Sequence, residues 1–211
     1  LNSLSSFENQ PNLMGVSRMS TKRMFLKSAA GAVALAPLLV SASASVGGPR
    51  AGYFPNAALQ THEGRKVRFY DDVVKGNKLV IFNMMYTACT NICPPDTANL
   101  LQVQEMLGER VGRDIFMYSL TLQPELDTPA ALQAYASKYG VKPGWTFLTG
   151  GRDDMDLIRR KLGFYDRNPQ VDADLSRHTG MIRVGNEALD RWCMMPSLLR
   201  PRQIVDAIVR L

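Results

Sequence analysis

The stretch KLVIFNMMYTACTNICPP, from Lys78 to Pro95, decides the fold. Lys78 to Met85 is a nearly continuous apolar run of strand length, which predicts a central strand buried on both faces of a sheet. Pro94-Pro95 then opens a helix, because the missing proline N–H costs nothing in a first helical turn. Along that helix Leu100, Val103 and Leu107 share one face at i, i+3 and i+7, and Gly108 marks its end region. Cys89 and Cys93 fall between strand and helix. In an open α/β sheet that crevice is where ligands bind, and a helix N-terminus stabilises an anion such as a thiolate.

Lys66 to Tyr70 reads as a short lead-in strand and Asp114 to Leu122 as the strand after the cysteine helix. Thr128-Pro129 is an N-cap with proline at the first helical position, and Leu132, Tyr135, Ala136 and Tyr139 form the apolar stripe of a helix stopped by Gly140. Trp145 to Leu148 is a short strand, and Asp153 to Leu162 an extra helix closed by Gly163. Gly180 to Val184 and Ala188 to Cys193 flank Gly185-Asn186 as a hairpin. A last helix runs from about Arg202 to Leu211, with Ile204, Val205, Ile208 and Val209 inward. A β-α-β unit followed by a terminal ββα is the plan of the thioredoxin fold: α/β, with a central mixed sheet flanked by helices and the extra helix before the late hairpin.

Upstream of this body the sequence changes character. Thr21 to Lys27 (TKRMFLK) is a charged segment, Ser28 to Val40 an uncharged apolar run of 13 residues, and Ala42-Ser43-Ala44 a small-x-small cleavage pattern. Residues 1–44 are therefore expected to be an N-terminal extension and secretory signal, removed on export to the periplasm or another exported location. Lys22-Arg23 before Met24-Phe25-Leu26-Lys27 resembles a twin-arginine signal with lysine in the first place. As a helix the apolar run would span about 20 Å, short of the roughly 30 Å hydrocarbon core, so a permanent anchor is the weaker reading; an uncleaved signal would still tether the protein to a membrane. Residues 1–13 match neither signal nor domain, and Met14 or Met19 is the expected start. Residues 45–65, small, polar and containing Gly and Pro, read as a linker, which leaves 66–211 as the folded domain.

The 211 residues are 45% hydrophobic and 21% charged, which excludes a disordered or fibrous chain. Of the net charge of +6, the first 50 residues hold +4, from Arg18, Lys22, Arg23, Lys27 and Arg50 against Glu8. The body keeps +2 and carries no basic run that could track phosphates, so no nucleic-acid partner is expected.

Two cysteines three residues apart can exchange with a disulfide or hold a soft ion between two thiolates, and the pair alone does not choose. A merely structural disulfide over so short a loop would contribute only about 2 kcal/mol. A domain of this size needs no such staple.

The residues here become recognisable. YTACTNICP resembles the CxxxCP motif of the Sco/SenC family, and LDTPAALQAYASKYGVKPGWTFLTG, Leu126 to Gly150, resembles that family's DTPxxL, YA and W-x-FLTG segment. The likeness runs from about Lys66 to the C-terminus. It implies a thioredoxin-fold copper metallochaperone for cytochrome c oxidase assembly, with Cu(I) or Cu(II) held by Cys89, Cys93 and a distant histidine, here His178 in RHTGM. The implied partner is a respiratory oxidase subunit or another copper chaperone, reached at most close to a membrane. Gln123-Pro124 stand where the family commonly has Asp-Pro, so no role is carried over from that aspartate.

The rival reading is an enzyme, a thiol-disulfide oxidoreductase in which Cys89 or Cys93 attacks and the other resolves. A peroxidase is the third and least favoured reading on the same fold. His62, in a polar turn, reads as solvated surface, and Cys193 as a small buried hydrophobe, with pairing to another chain as its residual option. Met84 and Met85 point to opposite faces of their strand, so at most one could approach the cysteines, and both are read as core. Asp71-Asp72, in a turn, and Asp153-Asp154, at a helix N-terminus, are read as structural.

Overall fold

The computed structural model describes residues 47–175 and 180–211. The chain divides after Ser43, and all described residues belong to the unit Ala44–Leu211. The expected signal segment and His178 lie outside the described residues.

The strand read as central is so. β3 (Leu79–Met85) is buried at all seven positions and pairs in parallel with β4 (Ile115–Thr121), which in turn pairs in parallel with β5 (Trp145–Gly150). On the other side of β3 lies β6 (Met181–Asn186), antiparallel, followed by β7 (Arg191–Pro196). Together with β1 (Ala58–Thr61) and β2 (Lys66–Arg68) they make a sheet in the order β2-β1-β5-β4-β3-β6-β7. This is the thioredoxin-like mixed sheet.

Helices α1 (Cys93–Leu107), α2 (Pro129–Tyr139) and α5 (Pro201–Ile208) cover one face, burying Leu100, Val103, Leu132, Ile204 and Ile208 against Ile81, Phe147 and Ile182. The other face carries α3 (Arg152–Leu162) and the π-helical turn Phe69–Val74, with Phe69, Met155 and Ile158 packed on Phe82 and Leu120. Each fully buried Leu, Ile or Phe contributes about 1.5–3 kcal/mol. Opposite side chains of β3 feed the two layers, so Met84 belongs to one and Met85 to the other. Thr128 caps α2 by accepting the Ala131 N–H at 3.2 Å, and Gly140 ends it at φ 67°.

Several expectations are corrected. Residues 45–65 are not simply a linker: Ala58–Thr61 is a sheet strand whose Leu59 and Thr61 are buried, and Phe54 packs on Phe69 and Trp192. Arg50 and Gly48 are held as well, through Glu187 and Tyr70. The strand starting at Lys66 stops at Arg68 because Phe69 begins the π-helical turn.

The late hairpin does not turn at Gly185-Asn186. Those residues pair with Trp192 and Arg191, and the turn is Glu187 to Asp190. Gly185 is a strand residue over which the Trp192 indole lies; a Cβ there would sit 2.1 Å from the ring. The last helix ends at Ile208, and Val209 is exposed rather than inward, since Ile204 and Ile208 already define the buried face. A one-turn helix, α4 (Pro169–Asp172), follows α3 and was not foreseen. Asp153 and Asp154 do stand in the first turn of α3, and Asp71 and Asp72 accept hydrogen bonds from Asn56 and the Arg68 N–H.

Candidate metal centre

β3 delivers the chain at Met85 to the C-terminal edge of the sheet, where a tight turn follows: the Cys89 N–H donates to the Tyr86 carbonyl at 3.1 Å. Helix α1 begins at Cys93 itself. Pro94, in its first turn, needs no partner for an N–H. The Cys93 N–H donates to Cys89 Sγ at 3.4 Å, so the first helical residue supports the sulfur of the other cysteine. Neither cysteine is joined in a disulfide, and both are buried, Cys89 at 6% exposure and Cys93 at 1%.

Their environments push the two thiols apart. Burial raises Cys89, but hydrogen bonds from the Cys93 thiol, the Cys93 and Asn91 N–H groups and the Tyr86 hydroxyl outweigh it, and its pKa is lowered. Cys93 goes the other way, raised by deeper burial and by giving its hydrogen bond to Cys89. Tyr86 is raised to about 12 by burial and by its bond to Cys89.

The loop and helix are tied down by polar residues that sequence reasoning missed. Asp127, wholly buried before α2, accepts hydrogen bonds from Thr87. Asp96, buried in the first turn of α1, accepts the Ser197 hydroxyl at 2.7 Å, and Asn99 donates to the Ser197 and Leu199 carbonyls. An acid in the first turn of the helix opened by Pro94-Pro95 was the available signal for Asp96. Nothing local pointed from Asp127 to Thr87.

The sequence-predicted site residues are brought together only in part. Cys89 and Cys93 share one cluster with Met85, whereas Met84 lies on the opposite face. His178 lies outside the described residues. Its neighbours on either side are placed: Gly180 approaches Ile92 so closely that a Cβ would meet the isoleucine side chain at 3.3 Å, and Asp174 acts electrostatically on Tyr86. His62, read as solvated, is half-buried at the β1–β2 turn. Its Nδ1 accepts the Phe147 N–H at 3.1 Å, its ring meets Phe147 edge-on, and burial lowers its pKa. It supports the fold. Cys193 is half-buried within β7, opposite Val184.

Among the described residues no group of three His, Cys, Asp or Glu side chains is assembled to hold an ion. Two clefts, of about 640 and 650 Å³, open elsewhere: one is lined by Met84, Arg159 and Asp172, the other by His62, Lys78 and Tyr118. The cysteine pair lines neither of these two. No helix among the described residues is long and apolar enough to cross a membrane.

The SCO1/SenC family model matches residues 56–211, well over half of the chain. The chain belongs to the SCO1/SenC family. Its curated relatives include the SCO1 protein homolog of Bacillus subtilis, 32% identical over 94 residues, covering 44% of this chain and 46% of that protein. The SCO2-like protein of Rickettsia felis is 27% identical over 145 residues, covering 65% and 67%. The matches thus span about half to two thirds of those SCO1/SenC relatives. A copper-bound crystal structure of Arabidopsis thaliana ScoI superposes with a TM-score of 0.57 at 19% identity, over 73% of this chain and 94% of that one. That likeness shows a shared fold.

Proposed function

We propose that the protein is an exported copper metallochaperone that carries copper on Cys89, Cys93 and His178 and hands it to a copper site of a respiratory oxidase. The observation that carries the reading is the buried, hydrogen-bonded pair Cys89–Cys93 at the mouth of α1, on the C-terminal edge of the central strand. Membership of the SCO1/SenC family adds to it, together with copper-bound structures of ScoI from Arabidopsis thaliana and Bradyrhizobium japonicum. Another structural relative, BsSco, is described as a member of a family of cytochrome c oxidase assembly proteins. A SCO1/SenC lipoprotein of Bacillus anthracis supports export and attachment near a membrane.

Copper is the cargo. Binding Cu(I) releases the protons of both thiols, and two thiolates satisfy this soft ion. Cys89 is the sulfur more readily ionised, and the positive end of α1 favours the anionic pair. Cu(II) prefers more ligands and takes imidazole nitrogen well, which is the part given to His178. The described residues flanking that histidine support this assignment, since Gly180 approaches Ile92 of the cysteine loop and Asp174 acts electrostatically on Tyr86. Delivery then proceeds by ligand exchange, an acceptor's ligands replacing the sulfurs one at a time while protons return to them.

The test separates sulfur from nitrogen. His178→Ala should keep Cu(I) binding and lose the Cu(II) thiolate charge-transfer band and spin-resonance signal, while Cys89→Ser or Cys93→Ser should damage both. Identical Cu(II) spectra and affinities in wild type and His178→Ala would remove His178 from the site. A second reading, thiol-disulfide exchange, is favoured by one observation: the thiols are pushed in opposite directions, as an attacking and a resolving cysteine would be.

A further inference from the structure

One buried carboxylate from another element holds the turn that leads to Cys89. Asp127 is completely excluded from solvent. Both of its oxygens lie 3.2 Å from the Thr87 N–H, the Thr87 hydroxyl donates to Oδ1 at 2.5 Å, and the Thr121 hydroxyl at the end of β4 donates to Oδ2. The arrangement is prepared from both sides. The Asp127 N–H donates to the Gln123 carbonyl at 2.8 Å, closing the loop that aims the carboxylate, and the Gln123 N–H donates to Thr121 Oγ1 at 2.9 Å, turning that hydroxyl toward Asp127.

Joining two threonines does not require an acid, and a buried carboxylate carries a large desolvation cost unless donors surround it. What the carboxylate achieves is directional. It gathers the backbone and the side chain of Thr87, two residues before Cys89, in the turn that the Cys89 N–H also closes on the Tyr86 carbonyl. We infer that Asp127 is a positioning residue for the Cys89–Cys93 pair, acting through Thr87 to keep the two sulfurs at the spacing that their chemistry needs. The inference rests on the copper reading for one of its two readouts only. The other is exchange with glutathione disulfide, in which two thiols of the protein become one disulfide and two glutathione thiols are released.

Three variants of the full chain decide it: Asp127→Asn, Thr87→Val and Thr121→Val. The last removes a hydrogen bond from the same carboxylate on the β4 side and leaves Thr87 held. Asp127→Asn and Thr87→Val should shift the equilibrium constant with glutathione and weaken Cu(I) about tenfold or more, the scale on which partners of ligand-bearing groups act. Thr121→Val should stay close to wild type in both while melting earlier. If all three variants change in proportion to their lost thermal stability, or if none shifts either constant, Asp127 is a tie of the fold and the inference fails. Should Asp127→Asn not fold, the contrast between the two threonine variants decides alone. Absence of Cu(I) binding in the wild type would overturn the copper reading, and the glutathione equilibria would still decide the role of Asp127.

Discussion

The Cys93 N–H points at Cys89 Sγ across 3.4 Å, so the residue that starts α1 is also a hydrogen-bond donor to its partner's sulfur. The two cysteines are thereby unequal. Cys89 collects donors from Tyr86, Asn91 and Cys93, whereas Cys93 is the more deeply buried and gives its hydrogen bond away.

This inequality sets the order of chemical modification. The thiolate is the reactive form, and the fraction ionised near pH 8 is larger for the lowered Cys89 than for the raised Cys93. Brief treatment of the reduced protein with iodoacetamide, followed by peptide mapping, should find Cys89 labelled well ahead of Cys93. Equal labelling would show that the hydrogen bonds to Cys89 do not bias the pair.

Acid stability should depend on Asp172. Its carboxyl is held at a pKa of about 2 by the Arg159 guanidinium, joined by the Asp166 N–H and Arg160, and its side chain is only 7% exposed. A depressed folded-state pKa stabilises the fold above the unfolded value near 3.8, and that stabilisation disappears as pH falls through about 2. Asp172→Asn should therefore cost about 2 kcal/mol at neutral pH and flatten the loss of stability between about pH 4 and 2. Denaturant melts of both proteins at several pH values check this; parallel pH curves would contradict it.

Gly185 should tolerate no side chain. A methyl group there would fall 2.1 Å from Trp192 Cε3 in the middle of a paired strand, so Gly185→Ala should destabilise by about 1–3 kcal/mol and alter the tryptophan emission. An unchanged melting temperature would mean that the indole has another place to go.

Cys193 sits in β7, whereas the candidate pair stands at the start of α1. Cys193→Ser should leave the copper stoichiometry and the disulfide equilibrium of Cys89 and Cys93 as they are in wild type. A change in either, read by metal titration and thiol counting, would bring the third cysteine into the chemistry.

The parts of the fold legible from sequence were those whose signal is local. Lys78 to Met85 announces a two-sided strand by composition, and α2 is bracketed by its own Thr128 cap and Gly140 stop. Ala58–Thr61 gave no such sign: four residues with only Leu59 and Thr61 buried become a strand because β5 offers an edge to pair with, as far along the chain as Gly150. Gly185-Asn186 has the chemistry of a two-residue turn, yet the packing of Trp192 on Gly185 holds it within the strand and moves the turn to Glu187–Asp190. At the site, Cys89 and Cys93 were readable from spacing and position. The residues that hold them were not, since Thr87 and Asp127 are 40 positions apart and Asp96 meets Ser197 across 101.

The most direct test of the account is a titration of the fully reduced protein with Cu(I) against a chromophoric competitor, repeated on protein whose Cys89 and Cys93 have been oxidised to a disulfide. A disulfide leaves no thiolate to coordinate, so the account predicts one tightly held Cu(I) per reduced chain and none on the oxidised chain, with Cys89→Ser and Cys93→Ser resembling the oxidised form. Equal, tight binding of Cu(I) by reduced and oxidised protein would contradict it, because the copper would then be held by groups other than these two sulfurs.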